Sequence, residues 1–252
     1  MPRLLKLPRE IWNVFRVLEA RSFFKWLWLL LVLSPRAMRA GSLGVVDEAF
    51  GSPVRFRTAG RVFSFAGCSL GLVREIIGNE CYAGAKDLRG CRTILDLGSN
   101  CGVFAVFGLA NAPAARVVAV EAQPDLVAVA KANVEQAGFA SRAVFLNAYA
   151  GEENAFIREL VGGDPHVSRF SPEAYIAQAG ECDFMKCDIE GAEYHLITPS
   201  ATWLRRVKRI SLEYHGGWAE GAELGKILEG HGFQVSQRTH GNLGYLQCAR
   251  RG

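Results

Sequence analysis

Thr93-Ile94-Leu95-Asp96-Leu97-Gly98-Ser99-Asn100-Cys101-Gly102, running on into the apolar stretch Val103 to Leu109, decides the reading of this chain. Three apolar-led residues, a glycine-rich turn and a long apolar run read as strand, tight loop and helix. A strand that delivers such a turn to the mouth of a helix presents backbone N–H groups with no internal partner. It also lets a ligand approach the main chain closely. That is the local geometry of a nucleotide-type cofactor site.

The residues of the loop then choose among cofactors. A dinucleotide fingerprint spaces glycines as G-x-G-x-x-G, the middle one admitting the pyrophosphate. Here the pattern is Asp-x-Gly-x-Asn-x-Gly, with Asn100 in the middle, and asparagine tolerates the left-handed backbone that the turn needs. Asp96 places a carboxylate before the loop, where a diphosphate would be repelled and a ligand carrying an ammonium and a sulfonium attracted. This favours S-adenosylmethionine over NAD. Downstream, Arg116-Val117-Val118-Ala119-Val120 reads as a strand ending in Glu121, placed to take both ribose hydroxyls in charge-assisted hydrogen bonds. Taken singly, Asp96 as a helix cap, Gly98 and Gly102 as turn residues and Glu121 as a surface acid would be ordinary. Their order and spacing favour the cofactor site.

Composition sets the frame. At 252 residues, half of them apolar, the chain can bury a substantial core. Seven cysteines form no C-x-x-C pair and sit mostly in apolar runs. They read as reduced packing residues, which implies a cytoplasmic setting and no structural zinc. The net charge of +4 is uneven: residues 3 to 39 hold eight basic residues against Glu10 and Glu19, a net of +6. Within this segment Trp26 to Leu33 is an unbroken apolar run of eight residues, too short for the ~20 that span a bilayer. No small-x-small cleavage site follows near Met38-Arg39-Ala40, so the segment is expected to be retained. Basic residues interleaved with Trp12, Phe15, Phe23, Phe24, Trp26 and Trp28 suit a helix in a membrane interface, giving peripheral contact at the inner face of a membrane. An aromatic face packed on the rest of the protein, or on a second subunit, is the equal alternative.

Along the rest of the chain, Val54 to Thr58 and Arg61 to Phe65 alternate around Ala59-Gly60, predicting a β-hairpin, and Leu70 to Ile77 reads as a helix. The pattern then predicts strand 92–97, helix 102–111, strand 116–121, helix 124–137, strand 142–147, strand 182–188, helix 191–197, strand 207–214, helix 218–230 and strands 232–238 and 243–249. Such alternation means an α/β fold with a doubly wound, mostly parallel sheet. The last two strands are expected to form an antiparallel hairpin through His240-Gly241-Asn242. Residues 148 to 181 show only a helix at Pro172 to Gln178 and are the natural place for substrate contacts. Three segments follow: a basic amphipathic part over 1–41, a hairpin and helix extension over 42–90, and the cofactor domain over 91–252.

Ligands of open parallel sheets bind beyond the carboxyl ends of the strands. There stand Asp188, Glu190 and Glu193 after one strand, and Glu213 and His215 after the next. Asp188 is expected near the transferred group, Glu190 and Glu193 at the start of the following helix, where first-turn acids are also favoured by its dipole. His215 can exchange a proton near neutral pH and is the candidate base, with Glu190 next in line.

Ile94 to Gly102, Val118-Ala119-Val120-Glu121-Ala122-Gln123-Pro124, Leu146-Asn147-Ala148, Phe184 to Glu193 and Ile210 to His215 together resemble the FkbM-type family of S-adenosylmethionine-dependent methyltransferases, over roughly residues 70 to 240. The Asp-x-Glu-Gly-x-Glu piece is the most specific to it. The resemblance implies a class I (Rossmann-like) methyltransferase fold and methylation of hydroxyl groups on sugars, glycolipids or polyketides. It further implies that Asp96, Gly98, Ser99, Asn100 and Gly102 hold the methionine portion, that Glu121 with Ala122 binds ribose, and that Asn147 and Ala148 border the adenine. Asp188 would orient the reacting groups, with Glu190 and His215 beside it.

Nucleic acid is not expected as a partner. The Asp/Asn-Pro-Pro-aromatic motif of amino methylation and the Pro-Cys nucleophile of cytosine methylation are absent, and an acidic rim repels a polyanion. The expected partner is a small-molecule or glycan acceptor. Two other readings stand: a divalent metal on Asp188, Glu213 and His215, and a membrane-associated scaffold that keeps the fold without the chemistry.

Overall fold

A computed structural model describes residues 7–152, 155–160, 167–240 and 243–251. Arg3 and Lys6, and the turn at Gly241-Asn242, lie outside them. The helices are α1 (Leu7–Val17), α2 (Ala20–Ala40), α3 (Gly44–Phe50), α4 (Leu70–Val73), α5 (Ala85–Leu88), α6 (Val103–Asn111), α7 (Pro124–Gln136), α8 (Ala155–Leu160), α9 (Pro172–Ala179), α10 (Glu193–Leu196) and α11 (Trp218–Gly230). A two-stranded hairpin, β1 (Val54–Thr58) and β2 (Arg61–Phe65), precedes the main sheet. That sheet is built from β3 (Thr93–Leu97), β4 (Arg116–Glu121), β5 (Ala143–Ala150), β6 (Ser168–Phe170), β7 (Phe184–Cys187), β8 (Arg209–Tyr214), β9 (Phe233–His240) and β10 (Leu243–Arg250).

The spatial order is β6-β5-β4-β3-β7-β8-β10-β9. All neighbours are parallel up to β8, and β10 runs antiparallel to both β8 and β9. The chain leaves β3 towards β4 and returns on the other side at β7, so the switch point lies between β3 and β7. A crevice opens there, beyond the carboxyl ends of the two strands.

Alternation along the strands divides the interior in two. Ile94 and Phe184 face one core with α6, α7, the hairpin and helices α1 to α4. Leu95, Leu97, Met185 and Cys187 face the other, with Ile176, Leu196 and Leu224 from α9, α10 and α11. Val103 to Leu109 of α6 are all buried. A helix apolar on every side needs cover on every side, and the N-terminal helices supply the cover that the sheet cannot. Trp26 is fully buried and shares its core with Phe56, Phe104 and Ile94. Residues 7–90 and the sheet therefore share one core.

The structure differs from the sequence pattern at a few places. The helix expected over 191–197 shortens to Glu193–Leu196, because Glu190 and Gly191 are held at φ 53° and 91°, a left-handed bend that delays the first helical turn. The helix from Leu70 continues past α4 as a π-helical turn, Arg74–Gly78. Beyond β5 the chain adds α8 and the edge strand β6, whose three residues are too few to show a period. All seven cysteines are buried and unpaired.

Asn133 of α7 fastens the two layers. It is buried, accepts from the Ala66 N–H at 3.0 Å, and donates to the Ala66 carbonyl at 3.1 Å and the Cys101 carbonyl at 3.0 Å. Asn133→Ala removes three hydrogen bonds, of which only the one to the Cys101 carbonyl is fully buried, and is expected to lower unfolding stability by about 1–3 kcal/mol, read from urea denaturation.

Candidate active site

The loop after β3 turns as its sequence requires. Gly98, Asn100 and Gly102 take φ of 75°, 48° and 84°. The N–H groups of Gly98 and Ser99 both donate to the Val120 carbonyl, at 2.9 and 3.0 Å, fastening the loop to the end of β4. Gly98 is constrained by more than its φ: a Cβ there would lie 1.7 Å from the Asp188 carbonyl oxygen. Only glycine lets the ends of β3 and β7 come together.

Glu121, at the end of β4, reaches back over this loop. Its carboxylate accepts from the Asn100 N–H at 2.8 Å and the Gln123 N–H at 3.0 Å. Asn147 of β5 braces the same corner, donating to the carbonyls of Glu121 and Ala122 at 3.1 and 2.8 Å.

These elements enclose a cavity of about 480 Å³, within the size range of small-ligand sites. Gly98, Ser99, Asn100, Glu121, Ala122 and Ala148 lie on its wall, as do Asp188, Glu190 and His215. Asp96, Gly102 and Asn147 do not line the cavity. Asp96 has no exposed surface and pairs with Lys186, Gly102 starts α6 beneath the loop against Ala130, and Asn147 spends its amide on the chain's own carbonyls.

Lys186 is the residue that pattern reading passed over. It is buried in β7, in register with Asp96 of β3. Its ammonium lies 3.5 Å from Asp96 Oδ1 and 3.5 Å from Asp188 Oδ2, donates to the Gly98 carbonyl, and sits 5.1 Å from the centre of the Tyr82 ring. Burial alone would lower its pKa, but Asp188 and Asp96 outweigh that and raise it, so Lys186 is charged. Burial pushes the Asp96 carboxyl up to about 6, with Lys186 opposing. The signal was present: a lysine inside a four-residue strand buried throughout requires an anionic partner.

Tyr82 is the second omission, and it sits in a loop with no motif to mark it. Its hydroxyl lies 2.9 Å from Asp188 Oδ2 and 2.8 Å from Glu213 Oε2. One hydroxyl proton cannot serve two carboxylates, so the second contact needs a proton on an acid. Burial, followed by the charge of Asp188, pushes Glu213 up to about 7, while burial holds the Tyr82 phenol neutral by raising its pKa. Of these three groups, Glu213 is the one driven to titrate near neutral pH, with the neutral Tyr82 hydroxyl bridging it to Asp188.

His215 is placed differently from a base. Its Nε2 lies 3.1 Å from Glu190 and its Nδ1 3.2 Å from Glu193, which is fully buried and also accepts from the His215 and Gly191 N–H groups. The bonds to Glu190 and Glu193 raise its pKa to about 10, so the ring is an imidazolium at neutral pH with both nitrogens committed. Expected as a proton acceptor, His215 stands here between two carboxylates, joining β8 to the start of α10. Asp188, Glu213 and His215 place donor atoms within 4.8 Å of one another, a spacing that could hold a metal ion if the ring gave up a proton.

An eight-stranded sheet of this order with its last strands antiparallel, a glycine loop after its first strand and an acid ending its second has the class I methyltransferase fold. The chain matches the methyltransferase FkbM domain over residues 96–235, more than half its length, and belongs to that family. Among solved structures it is similar to the precorrin-6y C5,15-methyltransferase of Geobacter metallireducens GS-15 (17% identity, TM-score 0.45, covering 66% of this chain and 86% of that one). It is also similar to the METTL16 methyltransferase domain (17%, 0.45, 66% and 64%) and to an O-methyltransferase family protein from Burkholderia thailandensis (14%, 0.43, 65% and 52%). No curated protein sequence matches it.

The charge of His215 has a consequence for stability. A pKa raised from 6.5 to about 10 contributes stability that is full below 6.5 and is lost as pH rises through 10. The stability gap between the native protein and His215→Asn, measured by urea unfolding across that range, is expected to be widest near pH 6 and to narrow towards pH 10. A gap that stays constant would mean an uncharged ring.

Proposed function

We propose that this protein transfers the methyl group of S-adenosylmethionine to a hydroxyl of a sugar, glycolipid or polyketide-like acceptor. The observation that carries the reading is the Tyr82 hydroxyl between Asp188 and Glu213 on the cavity wall. A neutral hydroxyl is a poor nucleophile and must lose a proton as it is methylated. A cavity-wall carboxylate bridged by Tyr82 to Glu213, which is pushed up to about 7, is suited to accept it.

The donor set fits the cofactor. Five carboxylates line the cavity (Glu75, Glu121, Asp188, Glu190 and Glu213) against Lys186 and His215. This surplus of negative charge suits a ligand bearing a sulfonium and an ammonium and disfavours a diphosphate. When bound, the cofactor supplies an electrophilic methyl for in-line displacement. Gly98, Ser99 and Asn100 would hold its methionine portion, Glu121 and Ala122 its ribose, and Ala148 its adenine. Asp188 takes the hydroxyl proton, relayed through Tyr82 to Glu213. Lys186, 3.5 Å away, keeps Asp188 aimed into the cavity, and His215 holds Glu190 beside it.

Calorimetry is expected to show binding of S-adenosylmethionine and S-adenosylhomocysteine and none of NAD. Glu121→Ala should weaken binding by roughly 10- to 100-fold, from loss of charge-assisted hydrogen bonds. Absence of adenosyl-ligand binding would favour a scaffold without chemistry.

Turnover is expected with labelled S-adenosylmethionine and fractionated glycans and lipids, the label appearing as a methyl ether. Asp188→Asn should lower kcat by roughly 10²–10⁴-fold. The native rate should fall below pH about 7, as Glu213 gains its proton. Label on nitrogen or carbon overturns the hydroxyl reading. Loss of activity with chelator, restored by magnesium, would favour the metal reading that the 4.8 Å cluster permits.

A further inference from the structure

The two N-terminal helices each bury one face and leave the other open. Val14, Val17, Phe23, Trp26, Leu29 and Leu30 are in the core. On the outward side of α2, Phe24, Trp28 and Leu31 follow one another at helical spacing and are 65%, 61% and 68% exposed. Val32 and Met38 extend the row, and Trp12 of α1 is 58% exposed. Ring contacts tie the exposed Trp12 and Phe15 of α1 to Phe24 of α2 through the buried Phe23: Trp12 meets Phe15 at 5.8 Å, Phe15 meets Phe23 at 5.2 Å, and Phe23 meets Phe24 at 5.8 Å. A continuous, protruding aromatic and aliphatic face of this kind marks an interaction site.

Charge identifies the partner. Arg9, Arg16, Arg21, Arg36 and Arg39 are exposed on the same two helices. Exposed Arg57 of the hairpin adds to them, donating to the Phe15 carbonyl at 3.0 Å. The two acids of these helices are already matched by cations from elsewhere: Glu10 by Arg74 at 2.8 Å and Glu19 by Arg55 at 3.3 Å. The face is therefore apolar at its centre and positive around it. A second copy docking by two-fold symmetry would set this positive rim against itself. An anionic bilayer offers what the face lacks, apolar depth beneath negative headgroups. Among the described residues no helix is long and apolar enough to cross a membrane.

We propose that the outer face of α1 and α2 is a docking surface for anionic lipid bilayers, binding in the plane of the interface. The docking is rigid, because the opposite faces of the helices belong to the core. It also bears on the site. Asn13 of α1 donates to Asn79 at 2.8 Å, and Glu10 holds Arg74 of the π-helical turn. Glu75 and Ile76 of that turn stand on the cavity wall, so one helical layer separates the cavity from the docking face.

Flotation of the full protein with vesicles tests this. It should float with phosphatidylcholine vesicles containing roughly one quarter phosphatidylglycerol, and much less with phosphatidylcholine alone. Raising salt from about 0.1 M to about 0.5 M should weaken binding, as the electrostatic share is screened. Phe24→Glu/Trp28→Glu/Leu31→Glu and, separately, Arg21→Glu/Arg36→Glu/Arg39→Glu should each cut the bound fraction roughly tenfold while thermal unfolding stays unchanged, since these side chains face outward. Native protein that stays with neither vesicle, or folded variants that float as well as native, overturn the proposal. A native dimer in sedimentation that the apolar variant dissociates, without vesicle binding, would assign the face to a second copy.

Discussion

The close approach of β3 and β7 is the constraint on which the site depends. Two parallel strands meet at the switch point with Gly98 against the Asp188 carbonyl, and the Asp188 N–H donates to the Leu97 carbonyl at 3.0 Å. Directly behind, Asp96 and Lys186 face each other in register within the sheet. Neither charge is tolerable alone in such a place. Together they place an ammonium under the loop, where it bonds the backbone of Gly98 and aims Asp188 into the cavity. A stabilising pair and a cavity-lining carboxylate are thus parts of one arrangement.

Around that centre, similar groups are driven to different protonation states. Glu213 is held near neutrality by burial and by the charge of Asp188, and His215, one residue beyond Tyr214, is held as a cation by two carboxylates. Pushing titratable neighbours apart in this way lets a small cavity contain both a proton acceptor and a fixed charge at one pH. Glu193 is the pivot: buried at the start of α10, it bonds His215 through both backbone and ring. The left-handed bend at Glu190 and Gly191 brings Glu190 round to the other ring nitrogen.

The N-terminal ninety residues are a structural layer before they are anything else. The glycine loop leads into α6, whose apolar surface on all sides requires cover from the hairpin and from α1 to α4. Tyr82, Glu75 and Ile76 reach the cavity from this layer. The same cover that keeps α6 dry thus completes the site wall, and its outer surface remains for a further role.

What the sequence determined is what depends on neighbours along the chain. The Asp-x-Gly-x-Asn-x-Gly turn, Glu121 at a strand end, the hairpin around Ala59-Gly60 and the helix starting at Pro124 are local, because φ, period and capping are settled within a few residues. Helix Trp218–Gly230 lies where its pattern placed it for the same reason. What only the tertiary structure decided is electrostatic and non-local. The charge of His215 depends on Glu190 and Glu193, the raised pKa of Glu213 depends on burial and on Asp188 of the neighbouring strand end, and Asp96 turns from the cavity to Lys186 because β7 lies beside β3. The dual reading of the aromatic segment was likewise open, since the side of a helix that is buried depends on what packs against it. A pKa and a buried face are properties of surroundings, and the surroundings exist only once distant strands have paired.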